Sequence, residues 1–314
     1  MRLRDVQLLA ITGALVVICL ALTLLTWRSA HWSGTPPFLT QRNIQLILYQ
    51  SSLTLVLAAG MTFVIISGGI DLSVGSVLGL CTVIIALVLK RGGSVGLGAL
   101  AAMAVGVVCG ALSGGLIVGG RIPPFIATLG MMLIARGAAY VASGQQTIGV
   151  GTELARLGPA KQAIPLVVPL AAIAASFFVL SRTRFGRHLY AIGGNEEAAR
   201  LSGLPVERDK LITYCLSGLC AGLGAVVYVA KLDAGSHLAG EYLELYAIAA
   251  VIIGGTSLMG GEGHVLGSLV GALIMGVLHN GLQLLQVQEY WRRIVIGAII
   301  VAAVFVDQVR RRRT

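Results

Sequence analysis

Residues able to do chemistry are scarce in this chain, and their positions are informative. Asp71 stands in the stretch 67–75, SGGIDLSVG, between two apolar runs with almost no loop between them. Arg136 lies inside the apolar run 124–142, His279 and Asn280 lie inside the run 265–285, and His264 follows Gly263. Glu196 and Glu197 belong to a polar stretch, 181–210, that also carries Arg182, Arg184, Arg187, Arg200, Arg208 and Lys210. Adjacent residues on a helix point in different directions, so Glu196 and Glu197 cannot face one another as an acid and base pair. GxxxxGK[ST] and HExxH are both absent. Cys19, Cys81, Cys109, Cys215 and Cys220 form neither a CxxC pair nor a Cys/His cluster and read as small buried hydrophobes. No enzymatic centre, metal site or cofactor bound by this chain is expected. Any uphill work must draw on a partner.

The elements that would position these residues follow from composition. The chain is 56% hydrophobic and 11% charged, where a soluble domain carries about 25% charged residues. It reads as an all-α polytopic membrane protein, a single domain over residues 1–314 with the 181–210 stretch as a water-facing insert. The net charge of +10 sits at the ends of apolar runs, which suits the positive-inside rule better than nucleic-acid binding. The first run, to Leu25, follows Arg2 and Arg4. It is too long for a cleaved signal and lacks a small-residue cleavage site, so an uncleaved helix is expected. Trp27 and Trp32 mark an interface, and 38–50, FLTQRNIQLILYQ, is an amphipathic lead-in. Further spans are expected at 44–66, 72–89, 95–118, 124–142, 164–180, 211–230, 245–258, 265–285 and 294–306, about ten in all, several broken by glycine or half-length. An even count puts both termini and the insert on one face, the cytoplasmic one. Thirteen of the 23 basic residues would lie there, Arg121 and Arg310 to Arg313 among them, although Lys90 and Arg91 fall opposite.

Local readings stay open at several points. Gly68 and Gly69 weaken the helix, and irregular backbone at membrane depth survives only inside protein or beside water. Asp71 therefore either caps the following helix with Ser73 or lines a pathway. VIISGG at 64–69 is echoed by VIIGG at 251–255, as in transporters built from repeats, though shared membrane composition gives such pairs too. Arg136 must face protein or water, with pairing or carbonyl contact favoured over substrate contact. His279 and Asn280 suit interhelical hydrogen bonding, and His264 suits a cap or an interface. Asn195 before EEAARLSG reads as the N-cap of a short helix ended by Gly203 and Pro205. That helix is either a lever for a docked protein or a passive loop.

Several stretches together resemble the membrane permease subunit of ribose-type sugar ABC importers, the family of ribose, xylose, arabinose and autoinducer-2 permeases. They are 60–75, GMTFVIISGGIDLSVG; 124–137, PFIATLGMMLIARG; 183–203, TRFGRHLYAIGGNEEAARLSG; 247–261, AIAAVIIGGTSLMGG; 280–285, NGLQLL; and 290–297, YWRRIVIG. The resemblance covers nearly the whole chain in order and implies the ABC importer permease fold, with no ATPase site of its own. It implies import of a monosaccharide, a ribose-like pentose or related sugar, across the bacterial inner membrane by alternating access. The alternative is a nucleoside or other non-sugar solute. The implied partners are a cytoplasmic ABC ATPase carrying ATP and Mg, a periplasmic sugar-binding protein, a second permease copy and membrane lipid. Gly194, Asn195, Glu196, Glu197, Ala198, Ala199, Arg200 and Gly203 correspond to the loop that docks on the ATPase. Gly68, Gly69, Asp71, Ser73, Phe125, Thr128, Glu244, Tyr246 and Asn280 are the implied pathway residues. The chain departs from the pattern where members commonly read GYELDAIAA: here YLELYAIAA puts Tyr242 for the usual Gly and Tyr246 for the usual Asp.

Overall fold

A computed structural model describes residues 3–29 and 34–311. Arg2, Trp32, Arg312 and Arg313, invoked above for orientation and interface, lie outside the described residues. The helices are α1 (Leu3–Ser29), α2 (Gln41–Ile66), α3 (Val74–Lys90), α4 (Val95–Val118), α5 (Pro124–Ser143), α6 (Gly151–Leu154), α7 (Pro159–Arg182), α8 (Arg184–Gly194), α9 (Glu196–Leu201), α10 (Val206–Leu232), α11 (Leu243–Ile253), α12 (Val265–Leu284) and α13 (Glu289–Arg311). Two-residue strands β1 (Ile148–Gly149) and β2 (Ala234–Gly235) pair antiparallel, Ile148 opposite Gly235. Among the described residues seven helices are long and apolar enough to cross a membrane: α1, α2, α4, α5, α7, α10 and α12.

All ten expected apolar segments are helical, but their lengths differ in ways that matter. The segment expected at 245–258 forms only the 11-residue α11, about 16 Å long against a hydrocarbon core of about 30 Å. It is a half-length helix and not a span, because Gly254 and Gly255 end it: Gly255 has φ +83° and Thr256 N–H donates to Val251 O. The amphipathic lead-in divides into a 3-10 turn (Pro37–Leu39), Thr40 as N-cap, and α2 proper. Helix α7 starts at Pro159, ahead of the expected boundary, and carries Pro165 and Pro169 in its first half. The polar insert holds a helix, α8, that the sequence reading passed over.

Close packing rests on glycine. Helices α4 and α10 cross antiparallel through Gly106, Gly110 and Gly114 against Gly218 and Gly222, a small-xxx-small pattern on both helices. A Cβ on Gly106 would stand 2.1 Å from Gly218 O, and one on Gly110 2.2 Å from Tyr214 O. Helices α11 and α12 form an antiparallel hairpin in the same way, with Gly267 against Gly254 O and Gly271 against Ala250 O. The main core, including Leu57, Met61, Ile65, Leu78 and Tyr214, lies between α2, α3 and α10. A side chain forced into the α4 and α10 crossing has no room, since its neighbours are backbone atoms. Gly106→Leu is expected to destabilise the chain by about 3 kcal/mol or more. Thermal unfolding in detergent checks this, with Gly115→Leu, which meets open space, as the control that leaves the midpoint within a few degrees.

Candidate functional site

The insert is built from local signals. Thr183 caps α8, its Oγ1 accepting from Gly186 N–H at 3.2 Å. Residues 185, 189 and 192 then recur at helical spacing, so Leu189 and Ile192 are buried and Phe185 meets Phe63 of α2, ring centroids 6.3 Å apart. Asn195 caps α9 as expected, its Oδ1 accepting from Ala198 N–H at 2.9 Å. Gly203, φ +78°, ends the helix with Leu204 N–H bonded to Ala199 O at 3.1 Å. Arg200 pairs with Glu196 and Glu207, and Lys210 with Glu196, fastening α9 to the first turn of α10. His188 of α8 reaches Asp209 of α10 at 2.7 Å.

Of the residues implied in docking, Gly194, Asn195, Glu196, Glu197, Ala198, Arg200 and Gly203 share one exposed surface. Ala199 does not; it is buried against Ile192, Leu204 and Val206 and anchors the helix from below. Leu201 beside it is 84% exposed, an apolar knob the sequence reading missed.

The insert is keyed to the membrane helices through backbone. Gly261 N–H donates to Ile66 O, the last residue of α2, at 2.9 Å. Gly193 covers the same carbonyl so closely that a Cβ there would stand 1.9 Å from Ile66 O and 2.4 Å from Gly261 N. Gly260 packs on Gly68 and on Gly193 O, and Gly261 packs on Gly194. Tyr190 Oη donates to Gly263 O at 2.9 Å. The end of α2, the end of α8 and the loop between α11 and α12 therefore meet with almost no side chain between them.

The break after α2 is satisfied from within. Asp71 is 2% exposed. Its Oδ1 accepts from Ser73 N–H at 2.9 Å and Ser73 Oγ at 2.6 Å, while Oδ2 accepts from Ser217 Oγ of α10 at 2.7 Å. Asp71 thus makes the local turn before α3, where Ser73 is the N-cap residue, and also ties the break to α10. Thr128 of α5 donates to Ile70 O at 3.3 Å. Gly68 is exposed, whereas Gly69, Asp71, Ser73 and Thr128 are buried.

A second irregular segment, 234–242, runs back alongside α3. Gly235 abuts Thr82 O, and Gly79 and Gly75 lie against the carbonyls of Ala239 and Gly240. Its carbonyls are met by side chains: Thr82 Oγ1 donates to Ser236 O at 3.1 Å, and Arg136 donates to His237 O and to Ala239 O, the latter at 2.9 Å. Arg136 takes the carbonyl-contact role. Glu244, in the first turn of α11, lies against Gly75, and its Oε2 is buried with no hydrogen-bond partner among the described residues. Tyr242 occupies the N-cap of α11 at φ +64°, under Arg293 at 5.5 Å from its ring centroid. A glycine-favouring backbone therefore underlies the position where the resembled family carries Gly. Tyr246 is half-buried on the same helix and Phe125 is exposed on α5.

Asn280 does not join this group. It sits near the far end of α12, 1% exposed, donating to Asn43 Oδ1 at 2.9 Å, and Asn43 in turn donates to Phe38 O. That bond is the interhelical role expected of it. His264 is the N-cap of α12, its Nδ1 accepting from Leu266 N–H at 3.1 Å. The 64–69 and 251–255 echo has a structural counterpart, since both helices end in the same pair of bonds, Gly68 to Ile65 O with Gly69 to Val64 O, and Gly255 to Ile252 O with Thr256 to Val251 O. The end of α9 closes identically, so the echo reports a shared helix stop.

Helices broken between apolar segments, a multi-pass core and an exposed helix keyed to it are the features of a membrane transport permease. The chain belongs to the family described as the branched-chain amino acid transport system permease component, whose model matches residues 43–304. Similar curated proteins are named for sugars. The ribose import permease protein RbsC of Escherichia coli K12 is 43% identical, over 87% of this chain and 88% of its own. The D-allose transport system permease protein AlsC of the same organism is 40% identical over 86% and 85%, and its xylose transport system permease protein XylH is 33% identical over 99% and 94%.

Removing the Arg136 fork strands two carbonyls at membrane depth, each costing about 1–3 kcal/mol. Arg136→Met is expected to lower the unfolding midpoint sharply and abolish uptake, and Arg136→Lys, which keeps one donor group, to retain part of both; thermal melts with vesicle uptake measure this.

Proposed function

We propose that this chain is the membrane-spanning subunit of an ABC importer for a monosaccharide, a pentose or related sugar. Relatives named for ribose, allose and xylose support a sugar over the nucleoside alternative and over an amino acid. In this reading the exposed surface of α9, with Leu201 at its edge, faces the cytoplasm and docks on a partner ATPase that binds ATP and Mg. Two permease copies, identical or related, enclose the pathway, and a sugar-binding protein seats on the opposite face.

The observation that carries the reading is the glycine junction. A push on α9 reaches the end of α2 through Gly193, and reaches the loop between α11 and α12 through Gly194 and Gly261. Those two points begin the irregular stretches around Asp71 and end the half-helix that carries Glu244 and Tyr246. Moving them together changes which side of the membrane the central cavity opens to.

Two variants separate docking from transmission. Glu197→Lys reverses a charge on the exposed surface, and co-purification with the ATPase should fall by tenfold or more, about 1.4 kcal/mol, with the unfolding midpoint unchanged. Gly193→Ala cannot fit beside Ile66 O; it should keep the ATPase bound while sugar uptake into vesicles is lost. Undiminished association of the first, or full uptake by the second, contradicts the assignment.

A further inference from the structure

At the end of the molecule away from the insert lies a cavity of about 740 Å³. It is formed by the first turns of α2 and α7 and the last turn of α10, and Gln45, Tyr49, Lys161, Gln162 and Lys231 supply its polar wall. Lys231 Nζ lies 4.5 Å from the Tyr49 ring centroid and donates to Tyr49 O at 2.5 Å and Ser52 Oγ at 3.4 Å. Lys161 Nζ pairs with Asp233, 2.5 Å to Oδ1. The cluster therefore sets two ammonium groups against one carboxylate and keeps a net positive charge, with two amide side chains beside it and the amino end of a 24-residue helix at its edge. The remaining wall is apolar: Leu48 and Leu166 line the cavity. Leu46, Val167 and Leu170 on the same helices are exposed.

A positive, amide-rich head with an apolar trough lined by Leu48 and Leu166 matches an amphiphile carrying a compact anion. A free sugar would leave the trough and the charge unused, and a free phosphate would leave the trough unused. We propose that this cavity binds an anionic phospholipid, its phosphodiester group at Lys161 and Lys231 and an acyl chain along Leu48 and Leu166. The tie matters mechanically, because the same lipid would bridge α2, α7 and α10, and Ser217 of α10 holds Asp71 in the break that follows α2.

Native mass spectrometry and thermal melts of the full chain in neutral detergent test this, with phosphatidylglycerol, phosphatidylcholine or inorganic phosphate added. Phosphatidylglycerol should be retained and raise the melting point, whereas phosphatidylcholine should be retained less. Replacing Lys161 by Gln should weaken phosphatidylglycerol retention roughly fivefold, and the Lys161→Gln, Lys231→Gln double variant further. Should the double variant fail to fold, because Lys231 also holds Tyr49 O, Gln45→Glu and Gln162→Glu add charge at the rim without touching that bond and are expected to weaken retention comparably. Equal retention of both lipids, retention unchanged in the variants, or an equal rise in melting point with inorganic phosphate overturns the proposal; the last would make the site one for a soluble anion.

Discussion

A peptide group stranded in hydrocarbon has no water to turn to, so every irregular stretch of this chain must find its partners inside the protein. Two features meet that demand. Glycines let backbone approach backbone, as where Gly261 N–H reaches Ile66 O and where α4 crosses α10 through Gly106 and Gly218. Elsewhere long or short polar side chains reach across: Asp71 gathers the donors of the break after α2, and Arg136 and Thr82 satisfy the carbonyls of Ser236, His237 and Ala239. Without these bonds α3 and α11 could not begin in the interior of the molecule.

The same constraint makes the protein suitable for being driven. Side-chain packing can slip by rotamer changes, but contacts in which a Cβ would already collide leave little slack. The junction of Gly68, Gly193, Gly194, Gly260 and Gly261 is of that kind, and it lies between the exposed α9 and the two broken elements. His188 and Asp209, with the ion pairs of Glu196 and Glu207, fasten the insert to α10 on its other side. In the proposed function these contacts turn a displacement of a six-residue surface helix into movement at Asp71 and Glu244.

Much of this was legible in the residues. Apolar runs gave the helices and their order, Asn195 and Gly203 gave α9 with both of its ends, and the polar character of 181–210 located the exposed insert. What escaped was of two kinds. Helix α8 has two arginines and a histidine among its eleven residues, and their polarity obscured the spacing of Phe185, Leu189 and Ile192. The partners of Arg136 and Asp71 are non-local: His237 O and Ser217 lie about one hundred residues or more along the chain, and no local pattern announces such a pair. Asn280 was open to both readings because a polar residue in an apolar run signals function as readily as structure, and its partner Asn43 lies 237 residues away. The doublets Gly193-Gly194 and Gly260-Gly261 were visible, but nothing in one sequence says that they touch.

The central claim is that α9 and the loop between α11 and α12 move as one body. Spin labels on Leu201→Cys and Met259→Cys, both exposed sites, in a background lacking the five native cysteines, would report their separation by pulsed electron resonance in the complete transporter with and without nucleotide. The account predicts that this distance stays constant while that from Leu201 to a label on Leu238, in the segment beside α3, shifts with the nucleotide state. A change in the first distance as large as in the second would contradict it.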